Sequence, residues 1–173
     1  ILVVGGNGFI GSKVVEILSN TKHDIIVMEN SETYGVISKE KLSELYKYRQ
    51  RNWKFVMRLD GDVSTRNDVL KALQGLPEVV IHLASYPRAK IVNNNPMLGV
   101  RNIVEGTVSL LWHCDKMDVK KFIFASSGSV YGIKEELQVT EDLSLVPITD
   151  YNKTKMISES VLLSYRDKIT LNI

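Results

Sequence analysis

The sequence has a single cysteine, Cys114, and only three histidines in 173 residues. One thiol cannot close an internal disulfide, and Cys114 has no metal-ligand partner at a useful spacing. That cysteine usage fits a reducing, cytoplasmic setting. Neither sign of charge is in excess: 22 Lys and Arg face 20 Asp and Glu, for a formal net charge of +2. Such a balance gives no electrostatic basis for binding nucleic acid or an anionic membrane. No apolar run approaches the roughly 18 residues of a membrane span. The first residues read as a strand and lack the basic start and small-residue cleavage site of a secretory signal. No Pro/Gly-rich linker, low-complexity tract or internal repeat divides the chain. One domain over residues 1–173 is expected. Both ends fall inside strand-like runs, which suggests a piece of a longer protein whose later, substrate-binding part lies beyond residue 173.

What is present is an ordinary globular composition, 44% hydrophobic and 24% charged, enough for a real core. Short apolar runs alternate with helical patterns. Strands are expected at Ile1–Val4, Asp24–Met28, Lys54–Leu59, Val79–Leu83, Lys121–Ala125 and Ile169–Ile173. Helices are expected from about Phe9 to Ser19, Lys39 to Arg51, Thr65 to Gln74, Pro96 to Lys116 and Tyr151 to Tyr165. The stretch Glu29–Leu59 is the least defined, since its charged helix can also be read as part loop. Strands separated by helices of this length form βαβ units, so the fold class is α/β: a doubly wound parallel sheet of Rossmann type. The strands are rich in Val and Ile without clean alternation, as expected when both faces are covered.

The first strand runs directly into Gly5-Gly6-Asn7-Gly8-Phe9-Ile10-Gly11, which opens the first helix. Gly5, Gly8 and Gly11 have the spacing that a tight turn, a close approach to a pyrophosphate and a close helix–strand contact require. The helix N-terminus then offers free N–H groups to phosphate. A glycine motif between strand and helix is much more specific than the motif alone. Glu29 ends the second strand, 18 residues after Gly11, where an acidic residue accepts bonds from the adenosine ribose. A carboxylate there repels a 2′-phosphate, which favours NAD over NADP; the bland alternative is a strand-end surface acid. Asp62 can accept a bond from an adenine amino group, or be an ordinary loop aspartate.

Tyr151-Asn152-Lys153-Thr154-Lys155 contains Y-x-x-x-K, which on a helix puts phenol and ammonium on one face. A free tyrosine titrates near ~10, and a neighbouring cation favours its phenolate. The pattern recurs at Tyr86-Pro87-Arg88-Ala89-Lys90, but in a loop beside a proline. Tyr151 also has a partner pattern: Ser126-Ser127 ends the fifth strand, with Ser127 24 residues upstream of Tyr151. Strand carboxyl ends line the ligand crevice of such a sheet. Ser127 there either holds a substrate hydroxyl or simply caps its loop. His82, Trp53 and Trp112 read as structural.

Together, VVGGNGFIG, VIHLAS, FIFASSGSVYG and Y-x-x-x-K resemble, in order and spacing, the extended short-chain dehydrogenase/reductases of the NAD-dependent epimerase/dehydratase family. The resemblance covers nearly the whole chain. It implies that Phe9 and Ile10 lie on the pyrophosphate of NAD, that Glu29 and Asn30 hold the adenosine ribose, and that Asp62 and Val63 bracket the adenine. It further implies that Leu83, Ala84 and Ser85 line the cofactor and that Asn102 approaches its nicotinamide half. Ser127, Tyr151 and Lys155 match the catalytic trio, the last two also touching cofactor. A nucleotide-sugar substrate and a homodimer built on the long helix and the Tyr151 helix are implied as well. The sequence departs from the pattern in placing Asp150 before the tyrosine, where proline is common, and Glu29 where aspartate is commoner. Gly128-Ser129 stands where dehydratases of the family carry Asp-Glu, which argues against dehydration. The expected function is thus an NAD-dependent nucleotide-sugar epimerase. A net oxidoreductase on a sugar nucleotide or other alcohol, and a non-catalytic NAD-binding scaffold, are the alternatives.

Overall fold

A computed structural model of the chain describes residues 1–86, 88–133 and 139–173. Six strands form one parallel sheet: β1 (Leu2–Val4), β2 (Ile25–Glu29), β3 (Val56–Asp60), β4 (Val79–His82), β5 (Lys121–Phe124) and β6 (Thr170–Asn172). Their spatial order is β3-β2-β1-β4-β5-β6. The order reverses between β1 and β4, and a ligand crevice opens at the carboxyl ends of such a switch point.

Successive strand residues point to opposite faces, and here both faces are apolar. Leu2, Val4, Ile26 and Met28 enter the larger core, while Val3, Ile25 and Val27 enter a second core on the other side. That is why these strands read as continuous apolar runs. Fully burying one such side chain contributes roughly 1.5–3 kcal/mol. The larger core also takes Val69 and Leu73 from α3 (Arg66–Leu73), Leu110 and Leu111 from α6 (Gly106–Lys116), and Leu162 from α7 (Asp150–Leu163). The smaller core takes Val15 of α1 (Phe9–Leu18). Trp53 packs against it, its indole N–H donating to the Ser12 carbonyl at 3.1 Å.

The charged segment after β2 is a true helix, α2 (Lys39–Gln50), capped by the Ser38 hydroxyl accepting from the Lys41 N–H. Tyr86 and Lys90 do not share an element, since α4 begins only at Ala89 and runs to Asn94; Pro87 lies outside the described residues. The long helix over 96–116 is built of three pieces. α5 (Pro96–Gly99) leads into a π-helical segment, Val100–Glu105, and then α6. A π-helical turn inside a helix often marks a functional site, and Asn102 lies within this one. Trp112 is 44% exposed and lies at the surface. No helix among the described residues is long and apolar enough to cross a membrane.

Candidate cofactor and active site

The crevice begins at the β1–α1 turn. Gly5 has a φ of +83°, and a Cβ there would sit 2.7 Å from the Ala84 backbone nitrogen. Only glycine allows both the left-handed turn and the approach of β1 to the end of β4. Gly11 packs against the Gly5 carbonyl in the same way, bringing α1 close under the turn. Gly8, the N-cap of α1, brings no side chain to its first turn, and that turn has no acidic residue. The first N–H groups of α1 are therefore left uncapped by any side chain, as an anion at a helix start requires.

A cavity of about 360 Å³ opens above this turn. Its walls bring together Gly5, Gly8, Phe9, Glu29, Asn30, Asp62, Val63, Leu83, Ala84, Ser85 and Asn102, which the sequence places at a cofactor. Ile10 points outward, 63% exposed, and is not part of the wall. The Asn7 N–H donates to Glu29 Oε2 at 3.1 Å, which ties the carboxylate to the glycine turn. Burial pushes the Glu29 pKa up, against the pull of the backbone N–H groups of Asn7 and Asn30. The Asn30 amide donates to Asp62 Oδ2 at 2.9 Å and to the Tyr34 hydroxyl at 3.0 Å. Asp62 also accepts from the N–H and hydroxyl of Ser64; those bonds, together with Asn30, outweigh desolvation and hold its pKa low.

These residues fit a dinucleotide. The wall supplies carboxylates for ribose hydroxyls and free N–H groups for phosphates. Ser85 Oγ is buried there with no hydrogen-bond partner among the described residues, an unmet polar atom of the kind a bound polar ligand satisfies.

One wall was not foreseen. Leu42, Leu45, Tyr46 and Arg49 of α2 all line the cavity. Arg49 Nη1 donates to the Asn7 carbonyl at 2.7 Å, and Gln50 Nε2 to Asn7 Oδ1 at 2.8 Å. The signal was the i, i+3, i+4, i+7 spacing of those four residues, which places them on one helix face.

Ser127, Tyr151 and Lys155 lie outside that wall, at the ends of β5 and α7. Lys155 is 2% exposed, and its Nζ donates to the Ala125 carbonyl at 2.8 Å and lies 4.6 Å from the Phe124 ring centre. Burial lowers its pKa to about 8, with Glu159 pulling the other way. Tyr151 is half-buried; its N–H donates to Asn93 Oδ1 at 3.0 Å. It packs against the cluster of Tyr86, Val92 and Ile103. Tyr86 is also part of the cavity wall, so one side chain joins the two regions. Ser127 begins a 3₁₀ turn, Gly128–Tyr131, and its hydroxyl accepts from the Ser129 N–H. It does cap its loop, as the plainer reading held, and still sits at the strand end. The structure shows no direct hydrogen bond among the three. They are joined through the loop Ala125–Ser129, which Lys155 contacts at Ala125, Glu159 at the Ser126 hydroxyl and Asn152 at Ser129.

His82 is buried beside this region. Its Nε2 lies 2.9 Å from Thr107 Oγ1, and its Nδ1 has no partner among the described residues. Burial, reinforced by the Lys155 charge, lowers its pKa to about 3, so it is neutral at physiological pH. Among the described residues no group of three or more His, Cys, Asp or Glu side chains could hold a metal ion.

Comparison with known proteins follows the same geometry. UDP-glucose 4-epimerase of Lactobacillus helveticus is 31% identical over 169 residues, 97% of this chain and 47% of the relative. The Bacillus subtilis UDP-glucose 4-epimerase is 31% identical over 163 residues, 94% of this chain and 46% of the relative. The crystal structure of Thermus thermophilus UDP-glucose 4-epimerase in complex with NAD superposes with a TM-score of 0.82 at 28% identity, covering 98% of this chain and 51% of that one. The Brucella ovis UDP-glucose 4-epimerase in complex with NAD gives 0.81 at 29%, covering 99% and 49%. The chain thus spans about half the length of the curated relatives it matches. The model of the NAD dependent epimerase/dehydratase family matches residues 1–173. The chain belongs to that family.

Proposed function

We propose that the protein to which this chain belongs is an NAD-dependent nucleotide-sugar epimerase. The observation that carries this reading is the buried Lys155 ammonium fixed at the end of β5, one helical turn from Tyr151 and beside the loop that holds Ser127. NAD, when bound, supplies a reversible hydride acceptor. The cavity wall would hold it through Glu29 and Asn30 at the adenosine ribose and Asp62 and Val63 at the adenine, and the start of α1 would meet the phosphates with the backbone N–H groups of Phe9 and Ile10.

Tyr151 takes the proton of a sugar hydroxyl. Lys155, still protonated at neutral pH because its pKa is about 8, would hold the nicotinamide ribose. Ser127 holds the reacting hydroxyl in place. The absence of acidic side chains at Gly128-Ser129 leaves no group for water elimination, which favours epimerisation over dehydration. The relatives named as UDP-glucose 4-epimerases support a UDP-sugar substrate.

The test is turnover of UDP-glucose to UDP-galactose by the full-length protein with NAD. The expected result is epimerisation without accumulation of NADH. NADH accumulating in step with product would support the net oxidoreductase instead, and NAD binding with no turnover of any sugar nucleotide would support the scaffold.

We further propose a homodimer. Val100 and Trp112 on the long helix and Ile157 and Leu163 on α7 are exposed, and an isologous contact would bury such apolar surface. Sedimentation of the full-length protein as a monomer at micromolar concentration would reject it.

A further inference from the structure

Behind Ser127 stands a short chain of hydrogen bonds. Ser127 Oγ and Ser129 Oγ are 2.8 Å apart. Ser129 Oγ donates to Asn152 Oδ1, also at 2.8 Å. Asn152, the residue after Tyr151, is 7% exposed, whereas Ser129 is exposed. A serine hydroxyl has one proton. Since Ser129 gives its proton to Asn152, the bond between the two serines must run from Ser127 to Ser129. Ser127 Oγ also accepts from the Ser129 N–H at 3.3 Å. In this arrangement the Ser127 proton is committed to Ser129.

An alcohol being oxidised has the opposite need. Its only hydroxyl proton goes to Tyr151, so Ser127 can contact the same oxygen only by donating to it. The keto sugar, too, offers an oxygen that only accepts. For Ser127 to donate elsewhere while the 2.8 Å contact between the serines is kept, Ser129 has to turn and donate to Ser127, and then to accept from its other partner. A carboxylate cannot make that exchange, but an amide can: half a turn about the terminal torsion presents Nδ2 in place of Oδ1.

We propose that Ser129 and Asn152 form a reversible hydroxyl–amide relay that sets the hydrogen-bond direction of Ser127. Both are positioning residues acting through Ser127. The relay neither gains nor loses a proton, because each hydroxyl exchanges only the direction in which it donates. This inference rests on the epimerase reading, which assigns Ser127 to the substrate oxygen.

The test uses the full-length protein with NAD and UDP-glucose. Ser129→Ala should lower kcat about 5–20-fold with KM and NAD affinity within twofold of the parent, and Ser129→Thr, which restores a hydroxyl, should recover most of the loss. Asn152→Ala should cost a similar factor, and Ser129→Ala/Asn152→Ala should be no slower than either single variant, since coupled residues are non-additive. Asn152→Asp, an acceptor only, should be at least as slow as Asn152→Ala. Parental kcat in Ser129→Ala, or losses that multiply in the double variant, would overturn the relay. A second readout does not require turnover. With asparagine-selective ¹⁵N labelling, Ser127→Ala should shift the Asn152 side-chain amide resonance two bonds along the chain. An unmoved resonance overturns the relay whatever the enzyme's substrate. Tyr151→Phe at parental rate would instead overturn the epimerase reading.

Discussion

The Lys155 ammonium donates to the Ala125 carbonyl at 2.8 Å, so the cation of α7 is fastened to the backbone at the end of β5. Glu159 on its own helix, His82 on β4 and the Phe124 ring on β5 are the other groups that face it. Its pKa of about 8 lies below the ordinary 10.5, with burial as the main cause. Between those values the folded chain binds fewer protons than the unfolded chain, so this group makes stability rise with pH across the window. At about 1.4 kcal/mol per pH unit, the buried charge costs at most about 3 kcal/mol at neutral pH. Lys155→Met keeps much of the volume and removes the charge. The cofactor-free variant should be more stable than the parent at pH 7, with the gain fading between pH 8 and 10.5. Urea unfolding at several pH values measures this; a variant less stable than the parent at pH 7 would contradict the burial argument. The same variant should be inactive, a direct trade of stability for function.

Glu29 and the glycine turn are also joined, through the Asn7 N–H. The carboxylate faces the cavity where a 2′-phosphate would bring a second negative charge. The full-length protein should bind NAD much more tightly than NADP, and Glu29→Ala should narrow the gap by weakening NAD and relieving the repulsion. Titration calorimetry with both cofactors tests this. Equal affinities in the parent would remove Glu29 from its assigned role.

The sheet and its crevice were legible because their causes are local. Gly5 must be glycine at a φ of +83° against Ala84, and strands covered on both faces leave unbroken Val/Ile runs. The wall made by α2 was harder to see. Charged residues make up half of it, and none of its residues is fully buried, so the segment looks like a solvated helix or a loop. The stripe Leu42, Leu45, Tyr46, Arg49 had the right spacing, yet its target, the crevice, exists only in three dimensions. The π-helical turn at Val100–Glu105 left no pattern of its own. The Ser129–Asn152 contact joins residues 23 apart in sequence, and nothing in either segment names the other.

His82 predicts behaviour in acid. Thr107, Phe122, Phe124 and Lys155 surround it. Its pKa is lowered from 6.5 to about 3, by burial first and Lys155 second. In that window the unfolded chain binds the proton that the folded chain refuses, so stability falls as pH drops below 6.5. His82→Gln can keep a bond to Thr107 without an ionisable ring. It should be slightly less stable than the parent at pH 7, through lost packing, and more stable at pH 4, where the parent gives up about 3 kcal/mol at ~1.4 kcal/mol per pH unit. Melting curves at the two pH values should therefore change rank. Parallel pH dependence in the two proteins would show that acid lability has another origin.

Tyr151 is the residue on which the proposed chemistry turns. It is half-buried against Tyr86, Val92 and Ile103, and its backbone is held by Asn93, so Phe can occupy the same place. Tyr151→Phe removes only the hydroxyl. General acid–base groups contribute about 10²–10⁴-fold, and full-length Tyr151→Phe should lose roughly that factor in kcat. NAD affinity should stay near parental, because the cavity around Glu29, Asn30 and Asp62 is untouched. Lys155→Ala should damage both rate and NAD affinity, since it would remove the proposed ribose contact as well as the cation one helical turn from Tyr151. Ser127→Ala should cost less than Tyr151→Phe if a neighbouring hydroxyl, Ser126 or Ser129, takes over part of its role. Stopped-flow turnover and cofactor titration on the three variants separate these outcomes. A Tyr151→Phe protein that keeps the parental rate across the pH range would refute the proton-transfer role and leave the chain as a cofactor-binding scaffold.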